Sequence, residues 1–155
     1  MNFDQAFEKL IGHEGGYSND PNDPGGETKF GISKRSYPHL DIAALTLHDA
    51  KLIYRRDFWD KCRCEDMLPD LRFAVFDGAV NSGVTQSVKW LQLALGVDAD
   101  GVVGPITLGA AKNQPGYITA ARYNGVRLEF MTRLKTWPLY GAGWARRIAK
   151  NLMEA

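Results

Sequence analysis

Apolar residues recur every three or four positions at the start of the chain and predict an amphipathic helix. Phe3, Phe7 and Leu10 fall on one face at about 100° per residue, and Glu14 continues the same stripe. Two glycines follow at positions 15 and 16 and suit a helix C-terminus. We therefore expect Glu14 in the last turn of this helix, pointing toward the core.

Two further helices are predicted in the middle of the chain. Thr46 and Asp49 form a capping-box pattern that opens a helix ending near Trp59. Residues 71–80 are apolar enough to form the central buried helix, which the segment 81–83 ends. The inward positions of the first of these helices are predicted to be Ala50, Ile53, Tyr54 and Phe58.

The second half of the chain continues the helical spacing. One apolar stripe stops at Gly96, Asp100-Gly101 then predicts a turn, and Pro105 suits the first turn of the next helix. Another stripe follows until Trp137-Pro138 breaks it, and Gly143-Trp144 is expected to open a last basic helix. The stripes consist of Val84, Val88, Leu91 and Leu95, and of Ile118, Ala121, Gly125 and Leu128. The predicted fold class is therefore mainly α.

Turn residues and a short extended segment follow the first helix. Asn-Asp-Pro steps at 19–21 and 22–24 require the chain to reverse, because the side chains cap turns and proline fixes φ. Thr28 and Phe30 share one face of the extended segment beyond the turn. If Phe30 and Ile32 pack inward, Thr28 faces the interior side of the cleft. We expect a small β-hairpin here.

Two separated carboxyl groups in this region can cleave a glycosidic bond. Partial burial and the negative end of the helix dipole both favour the protonated form of Glu14, which can then donate a proton. The Thr28 hydroxyl can hold a water for attack, with Asp23 or Asp20 accepting its proton. The alternatives are a glutamate paired with an arginine, and aspartates that only cap turns.

The same residues resemble a known family of enzymes. The string Glu-Gly-Gly-Tyr at 14–17, followed by Asp-Pro-Gly-Gly at 23–26, Thr28 and Gly31-Ile32, resembles glycoside hydrolase family 108, the phage-type and secretion-associated N-acetylmuramidases. The resemblance implies a lysozyme-like helical fold with the small β-hairpin after its first helix. It also implies peptidoglycan as substrate and Glu14 as the catalytic acid.

The resemblance extends to the remaining site residues. The order of Glu, Asp and Thr along the chain is similar to that of more distant phage lysozymes. This similarity favours Asp23 over Asp20 as the second carboxylate, and Glu27 is a third candidate for that role. The implied catalytic set is Glu14, Asp23 and Thr28.

Substrate-binding residues follow from the same resemblance. In lysozyme-like folds the end of the central helix borders the substrate groove, so Asn81 is expected to hydrogen-bond an N-acetyl sugar, although Asn81 also suits a helix end. Tyr17 and Trp59 are candidates for stacking on a sugar face, with a place in the core as the alternative. The implied binding set is Tyr17, Asp20 and Asn81, and no metal or other cofactor is expected.

A second pattern lies between residues 91 and 107. Leu-Gln, Leu-Gly-Val, Asp-Gly, Gly-Pro and Thr at 91–92, 95–97, 100–101, 104–105 and 107 resemble small peptidoglycan-binding helical modules. The chain then divides into a lysozyme-like catalytic part at 1–83 and a peptidoglycan-binding-type helical part at 84–155, packed together as one compact unit. These residues also suit helix ends and turns, and we give that structural interpretation priority over direct sugar contact.

Composition narrows the classes of function. A chain of 155 residues that is 45% hydrophobic can bury a core as a single unit, and its net charge of +1 without a basic, aromatic-interleaved run excludes an ordinary nucleic-acid surface. Cys62 and Cys64 are too close for an unstrained bridge and lack metal-binding neighbours, so they are predicted to be free thiols.

Neither a leader nor a membrane-spanning run is apparent in the sequence. We expect a monomer that is made in the bacterial cytoplasm, without stable membrane insertion, and reaches the wall in the periplasm after release.

The sequence therefore predicts a peptidoglycan hydrolase that binds glycan strands and cleaves the β-1,4 bond between N-acetylmuramic acid and N-acetylglucosamine, in phage-type host lysis. One alternative is a lytic transglycosylase on the same fold, which needs a single acid. The other is a non-enzymatic wall-binding protein, which the pattern at 91–107 favours.

Overall fold

The computed structural model describes residues 1–12 and 16–155, and most of them are helical. The fold is lysozyme-like, with a two-stranded hairpin between the first two helices, as the sequence predicts. The α-helices in this part of the chain are α1 (Phe3–Ile11), α2 (Leu47–Tyr54), α3 (Pro69–Ser82), α4 (Val84–Leu95), α5 (Pro105–Lys112), α6 (Gly116–Thr132) and α7 (Trp137–Met153). The strands are β1 (Thr28–Lys29) and β2 (Ile32–Ser33), and short helical turns at Arg55–Trp59 and Cys64–Asp66 follow α2.

Helix α1 is amphipathic and spans Phe3–Ile11. Asn2 caps it, because its Oδ1 accepts the Gln5 N–H at 2.9 Å while the Gln5 side chain accepts the Asn2 N–H at 3.0 Å. Phe3 and Phe7 are buried. The predictions that Glu14 lies in the last turn of this helix and points toward the core fall outside the described residues.

The hairpin packs onto the core through its turn. Strands β1 and β2 are antiparallel, and Phe30 and Gly31 between them both have positive φ, of 52° and 76°. A turn with two positive φ values matches the twist of the flanking strands. The Tyr54 hydroxyl donates to the Phe30 carbonyl at 2.9 Å, and a Cβ on Gly31 would overlap that hydroxyl. Phe30 is therefore a turn residue and not the strand position that the sequence analysis gave it.

The middle of the chain agrees with the predicted helices. Thr46 and Asp49 cap α2 reciprocally, with N-to-O distances of 2.9 and 3.1 Å. Trp59 is fully buried against Phe3 and Phe76, which supports its alternative as a core residue. Helix α3 is the central buried helix and packs against α4 and α6.

The pattern at 91–107 forms a closed hydrogen-bond cluster. The Gln92 side chain is buried, its Nε2 donates to Asp100 Oδ1 at 2.7 Å and to Thr107 Oγ1 at 3.1 Å, and its Oε1 accepts the Gly101 N–H at 2.9 Å. The pKa of the Asp100 carboxyl is lowered by the hydrogen bonds that it accepts from the Val102 N–H and from Gln92. The pattern therefore holds the end of α4 to the start of α5, as the structural interpretation predicts.

The last two helices differ from the predicted stripes. In α6 Ala121 and Gly125 are exposed, and the buried face instead carries Tyr123, Asn124 and Arg127. The apolar pattern failed here because part of the buried face of α6 is polar: Arg127 pairs with Asp77 of α3, and the Tyr123 hydroxyl is hydrogen-bonded to Ser87 of α4. Helix α7 begins at Trp137 and not at Gly143, because Pro138 lies in its first turn, where the missing N–H costs no helical hydrogen bond.

One hydrophobic core joins both halves of the chain. Buried residues from α1, α2 and α3 form a continuous cluster with residues from α4 to α7. Cys62 and Cys64 are free and buried in it, as predicted, and burial raises the pKa of the Cys64 thiol. Within residues 1–12 and 16–155, no helix has the length and apolar character needed to cross a membrane.

The contact of α3 with α6 makes Gly78 intolerant of a side chain. A Cβ at Gly78 would overlap the Tyr123 hydroxyl, which is hydrogen-bonded to the buried Ser87 hydroxyl at 2.7 Å. We expect Gly78→Ala to lower the free energy of unfolding by about 1–3 kcal/mol, measured by urea denaturation. Gly125→Ala is the control, because no atom lies near a Cβ there, and it should raise that free energy by about 0.5–1 kcal/mol. Equal effects of the two changes would contradict this account of the interface.

Candidate active site

A cleft of about 580 Å³ opens where α1 ends, beside the hairpin turn. Leu10 and Ile11 of α1 form one side, and Phe30 and Gly31 of the hairpin turn form another. The ends of α3 and α7 complete the wall with Tyr54 of α2. The described lining residues are Lys9, Leu10, Ile11, Phe30, Gly31, Tyr54, Phe73, Asp77, Val80, Asn81, Gly143, Arg146, Arg147, Lys150, Asn151 and Glu154.

A second cavity extends the cleft to the other side of the hairpin. Its volume is about 380 Å³, and it shares Gly31, Tyr54 and Val80 with the first cavity. The two cavities adjoin at these shared residues, on either side of the hairpin turn, and are together called the groove.

A buried carboxylate holds the floor of the cleft in place. Asp77 of α3 is only 2% exposed, and it accepts hydrogen bonds from Arg127 Nη1 at 2.7 Å, Arg147 Nε at 2.8 Å and Asn151 Nδ2 at 2.8 Å. Arg127 is 0% exposed and lies in α6, whereas Arg147 and Asn151 lie in α7. One side chain therefore ties α6 and α7 to the central helix.

The charge of Asp77 depends on these arginines. Burial by itself raises the pKa of the carboxyl, but the charges and hydrogen bonds of Arg127 and Arg147 offset burial and leave the pKa below its ordinary value. Asp77 is therefore ionised near neutral pH and is not a proton donor. The sequence analysis did not single out this group, although a lone acid in the apolar run 71–80 indicates a buried partner.

Asn81 lies at the end of α3 and is half-buried in the wall of the cleft. The sequence analysis predicted that it borders the substrate groove. Its Oδ1 accepts a hydrogen bond from Arg127 Nη2 at 2.9 Å. Since a guanidinium only donates, this contact fixes which end of the amide is the acceptor. The amide NH₂ has no partner within residues 1–12 and 16–155, so it can donate to a ligand in the cleft.

The predicted aspartates lie on the exposed loop before β1. Asp20 Oδ1 accepts the Asn22 N–H and Asp23 Oδ1 accepts the Gly25 N–H, both at 2.8 Å. Each carboxylate thus caps a turn with one oxygen. Neither is among the described residues that line the cleft.

Tyr17, Glu27 and Thr28 lie together next to this loop. Tyr17 is 46% exposed, and its hydroxyl donates to Glu27 Oε1 at 2.9 Å. The pKa of Tyr17 is raised by this hydrogen bond first, and also by burial and by the negative charge of Glu27. Thr28 is half-buried in β1 and pairs through its backbone with Ser18 at 2.8 Å in both directions. Thr28 is not among the described lining residues of the cleft.

The structure thus brings some predicted residues to the cleft and leaves others beside it. Asn81 lines the cleft, whereas Tyr17, Asp20, Asp23 and Thr28 lie on the loop and strand that lead to the hairpin turn. Glu14 lies outside the described residues. The sequence analysis predicted a basic last helix but not that its side chains line the cleft, because that placement depends on the packing of α7 against α6 and on the hydrogen bonds of α7 to Asp77.

Removal of the Asp77 charge should destabilise the fold. Asp77→Asn leaves two guanidinium groups without their carboxylate, one of them fully buried, and we expect a loss of about 3–5 kcal/mol in the free energy of unfolding at pH 7. Because the folded pKa is lowered, the wild-type advantage is complete above the ordinary carboxyl pKa and is lost as the pH falls through the folded pKa. Urea denaturation from pH 7 to pH 3 measures both effects. Asp98→Asn, at an exposed position, is the control, and an Asp77→Asn loss no larger than the control loss would contradict the role of the network.

Comparison with known proteins agrees with this geometry. The family model described as Glycosyl hydrolase 108 matches residues 7–83, which include α1, the hairpin and α3. Among solved structures, that of SagA from Brucella abortus is similar with a TM-score of 0.88 and 32% sequence identity, over 98% of this chain and 92% of that chain. Comparison with curated proteins gives no match. The match of the family model over residues 7–83 and the likeness over nearly the whole chain lead to one conclusion: this protein belongs to glycosyl hydrolase family 108.

Proposed function

We propose that this glycoside hydrolase acts on peptidoglycan and cleaves the β-1,4 bond between N-acetylmuramic acid and N-acetylglucosamine. The observation that carries the proposal is the groove at the end of α1, which is open on both sides of the hairpin turn and therefore admits a glycan strand. The family membership supplies the reaction class, hydrolysis of a glycosidic bond.

Glu14 is the proposed proton donor. It follows Ile11, a lining residue of the cleft, by three positions in the sequence. The two acids among the described lining residues of the cleft are unsuited to this role, because Asp77 is held ionised by two arginines and Glu154 is paired with Lys9. A protonated glutamic acid at Glu14 would donate to the leaving oxygen of the sugar.

Asp23 is proposed to accept a proton from the attacking water, and Thr28 is proposed to hold that water in position. Only one oxygen of Asp23 caps the turn, so the other is available to accept a proton. Thr28 uses its backbone to pair with Ser18, which leaves the hydroxyl for a water. Asp20 has the same turn geometry as Asp23 and provides a matched comparison.

Asn81 and Tyr17 are proposed to bind the sugar. The free NH₂ of Asn81 suits the carbonyl oxygen of an N-acetyl group, and the contact with Arg127 keeps the amide in the orientation that this requires. The exposed ring of Tyr17 offers a face for stacking while Glu27 holds its hydroxyl.

The part at 84–155 is proposed to form one wall of the same groove and not to act as a separate binding module. Five of its residues in α7 line the cleft: Gly143, Arg146, Arg147, Lys150 and Asn151. The Gln92 cluster uses the polar groups of the pattern at 91–107 internally, so those groups are not offered to a sugar. Phage-type lysis is the biological role that we propose for the activity, on the resemblance of the Glu-Gly-Gly-Tyr motif.

Loss of the Glu14 proton should nearly abolish the reaction. A positioned general acid contributes about 10²- to 10⁴-fold, so we expect Glu14→Gln to lower kcat on purified peptidoglycan by this factor, measured as released reducing ends. Glu8→Gln, an exposed change on α1, is the control and should keep full activity. Full activity of Glu14→Gln would refute the assignment.

Substitution of Asp23 and of Asp20 should have different effects on the reaction. Asn at either position retains the oxygen that caps the turn, so the loop should keep its conformation in both variants. We expect Asp23→Asn to lose most of its kcat, and Asp20→Asn, at a residue with a predicted role in substrate binding, to raise KM and keep most of its kcat. Mass spectrometry of the products gives a second measurement: a new reducing end supports hydrolysis. An anhydro product, with both variants active, would favour a lytic transglycosylase instead.

A further inference from the structure

Helix α7 contributes most of the positive charge among the described residues that line the cleft. These residues include the cations Lys9, Arg146, Arg147 and Lys150 and the acids Asp77 and Glu154. Glu154 lies 3.3 Å from Lys9 Nζ and 3.9 Å from Lys150 Nζ, so it is shared by two lysines. The wall that α7 forms is therefore cationic.

The two arginines of this wall are only partly neutralised. Asp77 is shared between Arg147 and the buried Arg127, so one negative charge faces two guanidinium groups. Arg146 is exposed, and within residues 1–12 and 16–155 it has neither an ion pair nor a side-chain hydrogen bond. A cleft with such a surplus favours an anionic ligand group.

Gly143 leaves space next to these guanidinium groups. Side chains at positions i+3 and i+4 of a helix lean back over residue i, so Arg146 and Arg147 flank Gly143. Apart from the adjoining residues and backbone of α7 itself, no heavy atom of the described residues lies within 4 Å of where a Cβ of Gly143 would be. The Arg147 side chain is 37% exposed despite its bond to Asp77, so it can contact a group in this space.

We propose that Arg146 and Arg147, on either side of Gly143, form a carboxylate-binding subsite for the substituents of the glycan strand. The inference rests on the proposed peptidoglycan substrate, whose uncharged sugar backbone carries carboxylates only on its lactyl groups or on the peptides attached to them. An arginine fork pairs with a carboxylate in two-point geometry, which a lysine cannot reproduce. The subsite selects a strand that carries carboxylates over a neutral polymer of N-acetylglucosamine.

Binding to purified sacculi tests the subsite separately from catalysis. All chains carry Glu14→Gln to prevent digestion, and Arg146→Gln is compared with Arg122→Gln, an exposed arginine of α6 that contacts only Gln114 and lies outside the cleft. We expect Arg146→Gln to weaken co-sedimentation with sacculi by about three- to tenfold at low salt, as for a partly exposed charge pair, and Arg122→Gln to have no effect. The difference should largely disappear at about 1 M salt.

Chemical neutralisation of the sacculi supplies the decisive comparison. After the carboxyl groups are amidated with carbodiimide and ammonia, binding of the Glu14→Gln chain should fall, and Arg146→Gln should cause no further loss. Removal of the peptides by an amidase frees the lactyl carboxylates to which they were joined. An effect of Arg146→Gln that persists on these sacculi shows that a lactyl carboxylate is sufficient for binding, and one that disappears assigns the peptide carboxylates.

Two results would overturn the subsite. One is equal binding of Arg146→Gln and Arg122→Gln to native sacculi, including no binding by either. The other is an equal loss for Arg146→Gln on native and amidated sacculi. Release of reducing ends by the wild-type chain is measured separately, so failure of the hydrolase proposal is recognised independently of the binding result.

Discussion

The network of hydrogen bonds and ion pairs around Asp77 is the constraint on which the shape of the cleft depends. A carboxylate in the middle of the central helix is costly to bury, and it is tolerated because Arg127, Arg147 and Asn151 supply charge and hydrogen bonds from two other helices. The same contacts set the position of α7 against α3. They therefore fix the wall of the groove as well as the fold.

This arrangement explains why the two halves of the chain act as one unit. The family model covers the half that contains α1, the hairpin and α3, yet α7 from the other half closes the cleft. Arg127 serves both purposes, because one of its nitrogens binds Asp77 and another orients the Asn81 amide at the cleft surface. The buried ion pair of Asp77 with Arg127 is therefore connected to the surface of the cleft through the side-chain amide of Asn81.

Much of the fold and part of the site follow from local patterns. The reciprocal caps of α2, the end of α3 near Gly83 and the turn between α4 and α5 were predicted because short-range hydrogen bonds and backbone preferences determine them. Phe30 was misplaced because the Tyr54 contact, 24 residues away, holds it in a turn.

The sequence by itself determined the helical elements, the turn-rich loop with its two capping aspartates, and the motif that carries the family resemblance. Only the tertiary structure decided which face of α6 is buried and which side chains of α7 line the cleft. Amphipathic periodicity measures apolar burial, so it does not register a helix whose inner face is polar and paired with a distant carboxylate. The partners of Asp77 lie 50 to 74 residues further along the chain, and no local pattern connects them.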